Sequence, residues 1–193
     1  MAKVKVTTKP AEKTERLQDK FKNEIVPRLQ KTLGIKNRMA VPKVTKVKIN
    51  VGIGTYVKSH NKDYSNIVEN ITKISGQKPV LSKAKKAISN FKIKEGEIIG
   101  ISVTMRGKRM YDFLNKLINI VFPRVRDFRG ISKKAFDGTG NYNIGFKEHI
   151  VFPEISPDDV IKIHGLEVNI TTSTNDDKEG YELLKELGFP FKK

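Results

Sequence analysis

The sequence predicts an α+β fold: an antiparallel-rich sheet with helices packed on one face and the opposite face left open. Two observations predict it. Four segments alternate apolar with polar residues, the period of a half-buried strand, and four others carry apolar residues three or four apart, the period of an amphipathic helix. One apolar face per strand and one apolar stripe per helix are satisfied together when every helix covers the same side of the sheet.

In chain order, residues 1–11 read as a flexible basic tail, with Lys3, Lys5, Lys9 and Pro10 and no apolar periodicity. Residues 12–193 read as a single domain, because a chain of this length buries roughly 70% of the surface its unfolded form exposes. A helix is expected from Lys13 to Leu33, with Phe21, Ile25, Leu29 and Leu33 on one face and Gly34 as its stop. In KVTKVKINVGIG, Val47, Ile49 and Val51 face one way and Lys46, Lys48 and Asn50 the other. The alternation returns in IIGISVTMR, where Ile99, Ile101, Val103 and Met105 oppose Gly100, Ser102, Thr104 and Arg106. It returns in LEVNITT, where Leu166, Val168 and Ile170 oppose Glu167, Asn169 and Thr171, and more weakly in NYNIGF through Tyr142, Ile144 and Phe146. Helical spacing joins Tyr64, Ile67, Val68, Ile71 and Ile74, and then Met110, Phe113, Leu114, Leu117, Ile118 and Val121. A last helix is expected after Thr174 or Asn175, with Tyr181, Leu184 and Leu187 inward and Asp176, Asp177 and Glu179 at its positive end.

Charge points to the partner. The chain carries 38 Lys+Arg against 21 Asp+Glu, a formal net charge of +17, which suits an anionic partner, most often nucleic acid. The excess is uneven: residues 1–94 hold 23 Lys+Arg against 6 Asp+Glu, residues 95–134 hold 9 against 4, and residues 135–193 hold 6 against 11. The basic half and centre are therefore expected to meet that partner, and the C-terminal third something else, or water. Cysteine is absent, which removes disulfides, thiolate zinc sites and thiol nucleophiles and suits a reducing compartment, the cytosol. The opening MAKVKVTTKPAEKTERL lacks an apolar core, so neither a signal peptide nor a membrane partner is expected.

Three constellations carry chemistry. On two strands the open side presents Lys46, Lys48, Asn50, Ser102, Thr104 and Arg106, suited to phosphate, sugar and base edges, although polar outward residues are also ordinary on a half-exposed sheet. KAKKAISNFKIKEG, residues 83–96, surrounds Phe91 with Lys83, Lys85, Lys86, Lys92 and Lys94. Lysines there can neutralise phosphates while the ring stacks on a base; the other reading is a solvated hairpin with Phe91 in the core. RVRDFRGISKKAFDGTGNYNIGF, residues 124–146, combines docking charges at Arg124, Arg126, Arg129, Lys133 and Lys134 with DGTGN, which superficially resembles a phosphate loop. A phosphate cradle needs strand, loop and helix in succession, and here a strand pattern follows, so Gly138 and Gly140 read as backbone punctuation in an exposed loop.

No catalytic site, cofactor or metal is expected. The carboxylate pairs Asp158/Asp159 and Asp176/Asp177 read as helix starts, the first preceded by Ser156 and Pro157. His60, His149 and His164 lie far apart without ligand-spaced partners.

FPRVRDFRGISKKAFDGTGNYNIGFKEHIVFPEI, with ISGQKP, KAKKAISNFKIKEGEIIG, SVTMRGKRM and the terminal FPFKK, resembles the bacterial type of the ribosomal protein L five family from about residue 15 onward. The resemblance implies a ribosome-bound, cytoplasmic α+β protein in the central protuberance of the large subunit. It implies binding to 5S ribosomal RNA, with other large-subunit rRNA and neighbouring ribosomal proteins around it, and contacts to the peptidyl-site tRNA and a small-subunit head protein. Carried onto this sequence, the 5S-facing sheet positions match Lys46, Asn50, Gln77 and Thr104, so the open face is expected to be open for RNA. The tRNA-facing loop matches Lys83, Lys85, Lys86, Phe91, Lys92 and Lys94, and the intersubunit side matches the stretch holding Arg124, Arg126, Arg129, Lys133 and Lys134. Two features depart from the family: Thr139 stands where arginine is common, and the segment before about residue 15 is longer than usual. An enzyme acting on RNA or a nucleotide through DGTGN, and a free-standing RNA chaperone, are the competing readings.

Overall fold

Phe21, Ile25 and Leu29 recur every fourth residue, and that stripe is buried along helix α1, residues 17–33. The structure, a computed structural model, describes residues 16–54, 64–156 and 163–192. Among the described residues helix α1 begins at Leu17, with Arg16, extended in its backbone angles, as its N-cap; the expected start at Lys13 lies outside the described residues. Gly34 ends it in the left-handed conformation, φ 66°, where a glycine pays no Cβ penalty. Within α1 the turn Phe21–Ile25 widens into a π-helix just before Pro27, and Leu117–Val121 does the same just before Pro123. A proline ring crowds the carbonyl four residues back and offers no N–H; one wide turn accommodates both without breaking the helix.

The strands are β1 (Val44–Gly52), β2 (Val80–Lys83), β3 (Ile98–Met105), β4 (Tyr142–Phe146) and β5 (Leu166–Thr172). They form one sheet in the order β2-β3-β1-β5-β4, each neighbouring pair antiparallel. The first strand in sequence is therefore the central one. Ile49 lies opposite Val103 on one side and Val168 on the other, and all three are buried.

Helices α2 (Ser65–Ser75), α3 (Gly107–Lys116, continued by the π turn and Phe122–Arg124) and α4 (Asp177–Glu186) share a core with α1 and the sheet. Ile71, Leu114 and Leu183 from the helices meet Val47, Ile101 and Ile170 there, all essentially unexposed. The α+β class and the antiparallel sheet are as expected.

Several details differ. Strand β2 has no alternation to announce it: Val80 is exposed and Leu81 half-buried, and the segment becomes a strand by pairing with β3. Ile99 is half-buried, not core like Ile101, Val103 and Met105. In α4 the N-cap is Asp176, whose carboxylate accepts the Lys178 N–H at 3.0 Å, while Thr174 turns its hydroxyl to Glu179. Leu183, outside the expected stripe, is fully buried beside Leu184, whereas Tyr181 is half-buried. The tail 1–11, His60 and the Asp158/Asp159 pair lie outside the described residues.

The C-terminal end closes over the 124–146 stretch. Ile131 N–H donates to Pro190 O at 2.8 Å and Lys192 N–H to Ile131 O at 3.0 Å, a parallel bridge between Ile131 and Phe191. Gly130 is required beside it: its φ is 92°, and a Cβ there would sit 2.9 Å from Lys192 N. Among the described residues no helix is long and apolar enough to cross a membrane.

Candidate nucleic-acid interface

Because side chains alternate along a strand, burying Val47, Ile49 and Val51 forces Lys46, Lys48 and Asn50 to the opposite face. Register then assembles rows across three strands. Asn50 lies between Ser102 and Glu167, Lys48 between Thr104 and Asn169, and Lys46 beside Thr171. Asn143 of β4 extends the Lys48 row past Asn169. Lys48 is exposed, while Lys46 and Asn50 are half-buried among their neighbours. Gln77, in the loop before β2, donates from Nε2 to Thr104 O at 2.9 Å. All four residues matched to the 5S-facing positions thus lie on or are tied to β1 and β3.

The acceptor side of this face comes from β5. Asn169 Nδ2 donates to Asn143 Oδ1 at 2.6 Å and to Glu167 Oε1 at 3.0 Å, which fixes the amide orientation before any ligand arrives. Asn143 had only the weak NYNIGF pattern to mark it. Its role in the row is set by the register of β4 on β5.

After Lys83 the chain leaves the sheet as a hairpin. Its base is held by Ala84 N–H to Glu97 O at 2.8 Å and Gly96 N–H to Ala84 O at 3.0 Å, and its tip by the Ile88–Ile93 bridge. Phe91 is 62% exposed, so the reading that placed it in the core is overturned. Lys83, Lys85, Lys86, Lys92 and Lys94 are exposed around it. Lys92 adopts φ 50°, a conformation uncommon for a side-chain-bearing residue, at the turn that presents Phe91.

The five charges of the 124–146 stretch are divided. Arg124 and Arg126 are exposed on a cleft beside β4, whereas Lys133 Nζ lies 5.3 Å from the Tyr181 ring of α4. Arg129 and Lys134 are exposed. In DGTGN, Asp177 accepts the Gly138 N–H at 3.2 Å and the Gly140 N–H at 2.8 Å. Asp137 accepts from the Asn141 side chain at 2.8 Å and from the Thr139 hydroxyl and N–H, bonds that hold its carboxyl well below the usual range, at about 2. The amides a phosphate would need are therefore occupied by a carboxylate, and the phosphate-loop reading fails on its own geometry. Gly140 is also buried, contrary to the expected exposed loop: a Cβ there would lie 2.9 Å from Thr174. Thr139, in place of arginine, uses its hydroxyl within the loop.

Residues 37–94 match the family model of ribosomal protein L5, and residues 98–191 match the model of the ribosomal L5 family C-terminus. The large ribosomal subunit protein uL5 of Halothermothrix orenii is 55% identical over 175 residues, covering 91% of this chain and 97% of that protein. That of Desulforapulum autotrophicum is 54% identical over 176 residues, and that of Mycoplasma capricolum 51% over 178, each covering 98% of its own length. The chain belongs to the ribosomal protein L5 family. As a member it is a structural, RNA-binding ribosomal protein of the large subunit and not an enzyme.

The two L5 matches do not correspond to two separate sheets. β1 from the first pairs with β3 and β5 from the second, so the open face exists only when both are folded together. The L5 C-terminal part also brings together two histidines the sequence separates. His149 and His164 stack with ring centroids 3.9 Å apart, and both Nε2 atoms are buried without a hydrogen-bond partner among the described residues. Burial lowers the pKa of both, and burial plus the neighbouring His149 charge brings His164 down to about 4. No group of three metal-ligating side chains occurs among the described residues.

Proposed function

We propose that this L5-family chain binds 5S ribosomal RNA with the open face of its sheet, contacts the peptidyl-site tRNA with the 83–96 hairpin, and helps bridge to a small-subunit head protein through the 124–146 stretch. One observation carries the reading. The central strand sets Lys46, Lys48 and Asn50 between Ser102 and Thr104 on one side and Glu167, Asn169 and Thr171 on the other, a continuous polar surface on a rigid, core-backed sheet.

The mechanism is positioning. Lys46, Lys48 and Arg106 serve phosphates, which gives affinity and register, while Asn50, Asn143 and Asn169 carry the paired donors and acceptors that read base edges or 2′-hydroxyls. Glu167, the one carboxylate on the open side of the described strands, accepts from base amino groups and turns phosphates away from that row. In the hairpin, five lysines contribute a log–log salt slope of about −4 if each neutralises one phosphate, and a base stacked on Phe91 adds about 1–3 kcal/mol. Residues 12–193 act as one domain with residues 1–11 as a basic tail, and the acidic C-terminal third faces neighbouring ribosomal proteins.

The test is a titration of purified protein against 5S RNA, with tRNA and an unrelated duplex as competitors, at two salt concentrations. Selective binding that persists at the higher salt is expected. Equal affinity for every RNA, lost steeply with salt, would leave net charge as the whole explanation and overturn the sheet reading.

A further inference from the structure

Strand β4 ends the sheet, and among the described residues its outer side is paired only at the Phe136–Tyr142 bridge. There Asp137 N–H donates to Asn141 O at 3.2 Å, which shows that the odd-numbered backbone groups of this strand turn outward. Two residues past Asn143, the N–H and C=O of Gly145 share that direction and face a cleft of about 830 Å³. Gly145 is exposed and carries no side chain to obstruct an approaching backbone. Val125 and Phe128, both half-buried, line the facing wall, and Ile163, 52% exposed, adds a further apolar surface. Arg124, Arg126 and Lys147 are exposed at the rim, against the single half-buried carboxylate of Glu148.

The two edges of the sheet are treated differently. β2 begins after Pro79 and ends in Lys83, the usual devices against strand addition, whereas YNIGF of β4 contains neither proline nor charge. We propose that the β4 edge receives an extended, acidic segment of a partner protein, which adds as a strand and completes the sheet on this side. An unpaired edge supplies main-chain affinity, the apolar walls take alternate side chains, and the three rim cations select acidic residues in the remaining positions. RNA is the poorer occupant, because the outward Gly145 group alternates donor with acceptor and the walls are apolar. The inference rests on reading Arg124 and Arg126 as protein-docking charges; it is independent of the RNA reading of the open face.

The probe is an acetylated heptapeptide alternating valine with glutamate, titrated into the full chain by calorimetry, with exchange of the Gly145 amide followed by nuclear magnetic resonance. Saturable binding is expected, with slowed Gly145 exchange, at least tenfold weakening by Arg124→Glu with Arg126→Glu, and no binding of the matching valine–lysine peptide. Gly145→Pro removes the edge donor and should abolish binding, whereas Gly145→Ala, with nothing within 4 Å of the added Cβ, should retain it. If the proline variant does not fold, the two exposed arginines carry the test. Absence of saturable binding, equal binding of the lysine peptide, or displacement by an RNA oligonucleotide overturns the proposal. Subunit association separates it from the docking reading. Loss with the arginine variants but not with Gly145→Pro keeps docking and overturns strand addition, and loss with neither overturns both.

Discussion

Asp177 Oδ1 accepts the Gly140 N–H at 2.8 Å, joining the first turn of α4 to the loop that leads into β4. A carboxylate from the acidic end of one helix thereby takes the place an anion would have in a phosphate loop. Thr172 Oγ1 adds a second tie, donating to Gly140 O at 2.9 Å. The loop is part of the scaffold under the 124–146 surface.

Gly140→Ala should destabilise the chain by about 3 kcal/mol or more, because left-handed strain and a close contact with Thr174 add. Gly138→Ala, at φ 84° with nothing within 4 Å, should cost about 1–2 kcal/mol through strain alone. Urea melts of both variants check this; equal losses would show that the contact at Gly140 relaxes freely.

Lys46→Ala combined with Asn50→Ala should weaken 5S RNA binding and reduce the magnitude of the salt slope by about 1, while stability shifts by less than about 1 kcal/mol. Ile49→Ala, one position away and fully buried, should instead cost about 2–5 kcal/mol of stability. The pair measured side by side by melting and RNA titration tests the two faces of β1; unchanged affinity in the double variant would reverse the assignment of the open face.

Phe91→Ala should leave the melting temperature and 5S affinity unchanged and weaken tRNA binding by about 1–3 kcal/mol. The ring is exposed, so no cavity opens on its removal. A marked loss of stability in a thermal melt would show that the hairpin packs against the body in solution.

Stability should fall as pH drops below about 6.5 and keep falling towards pH 4. His149 and His164 are held neutral by burial, with pKa values below the ordinary histidine value, so the unfolded chain takes up protons that the folded one refuses. Asp137, depressed to about 2, adds its own loss only below about pH 4 as its carboxylate is protonated. Urea midpoints between pH 7 and 4 should slope downward in the parent and more weakly in His164→Gln; parallel profiles would remove the stacked pair as the cause.

Sequence alone determined the two faces of β1, β3 and β5, because a period of two leaves Val47, Ile49 and Val51 no choice but to oppose Lys46, Lys48 and Asn50. It determined the helix stop at Gly34 and the L5 resemblance, since both rest on residues contiguous in the chain. It did not announce β2, whose Val80 is exposed and whose strand state comes from pairing with β3. Nor could it place β1 at the centre of the sheet, stack His149 on His164, or aim Asp177 at Gly140. Each of these joins residues distant in the chain, and such contacts are chosen by how the apolar faces pack together, which no local pattern encodes.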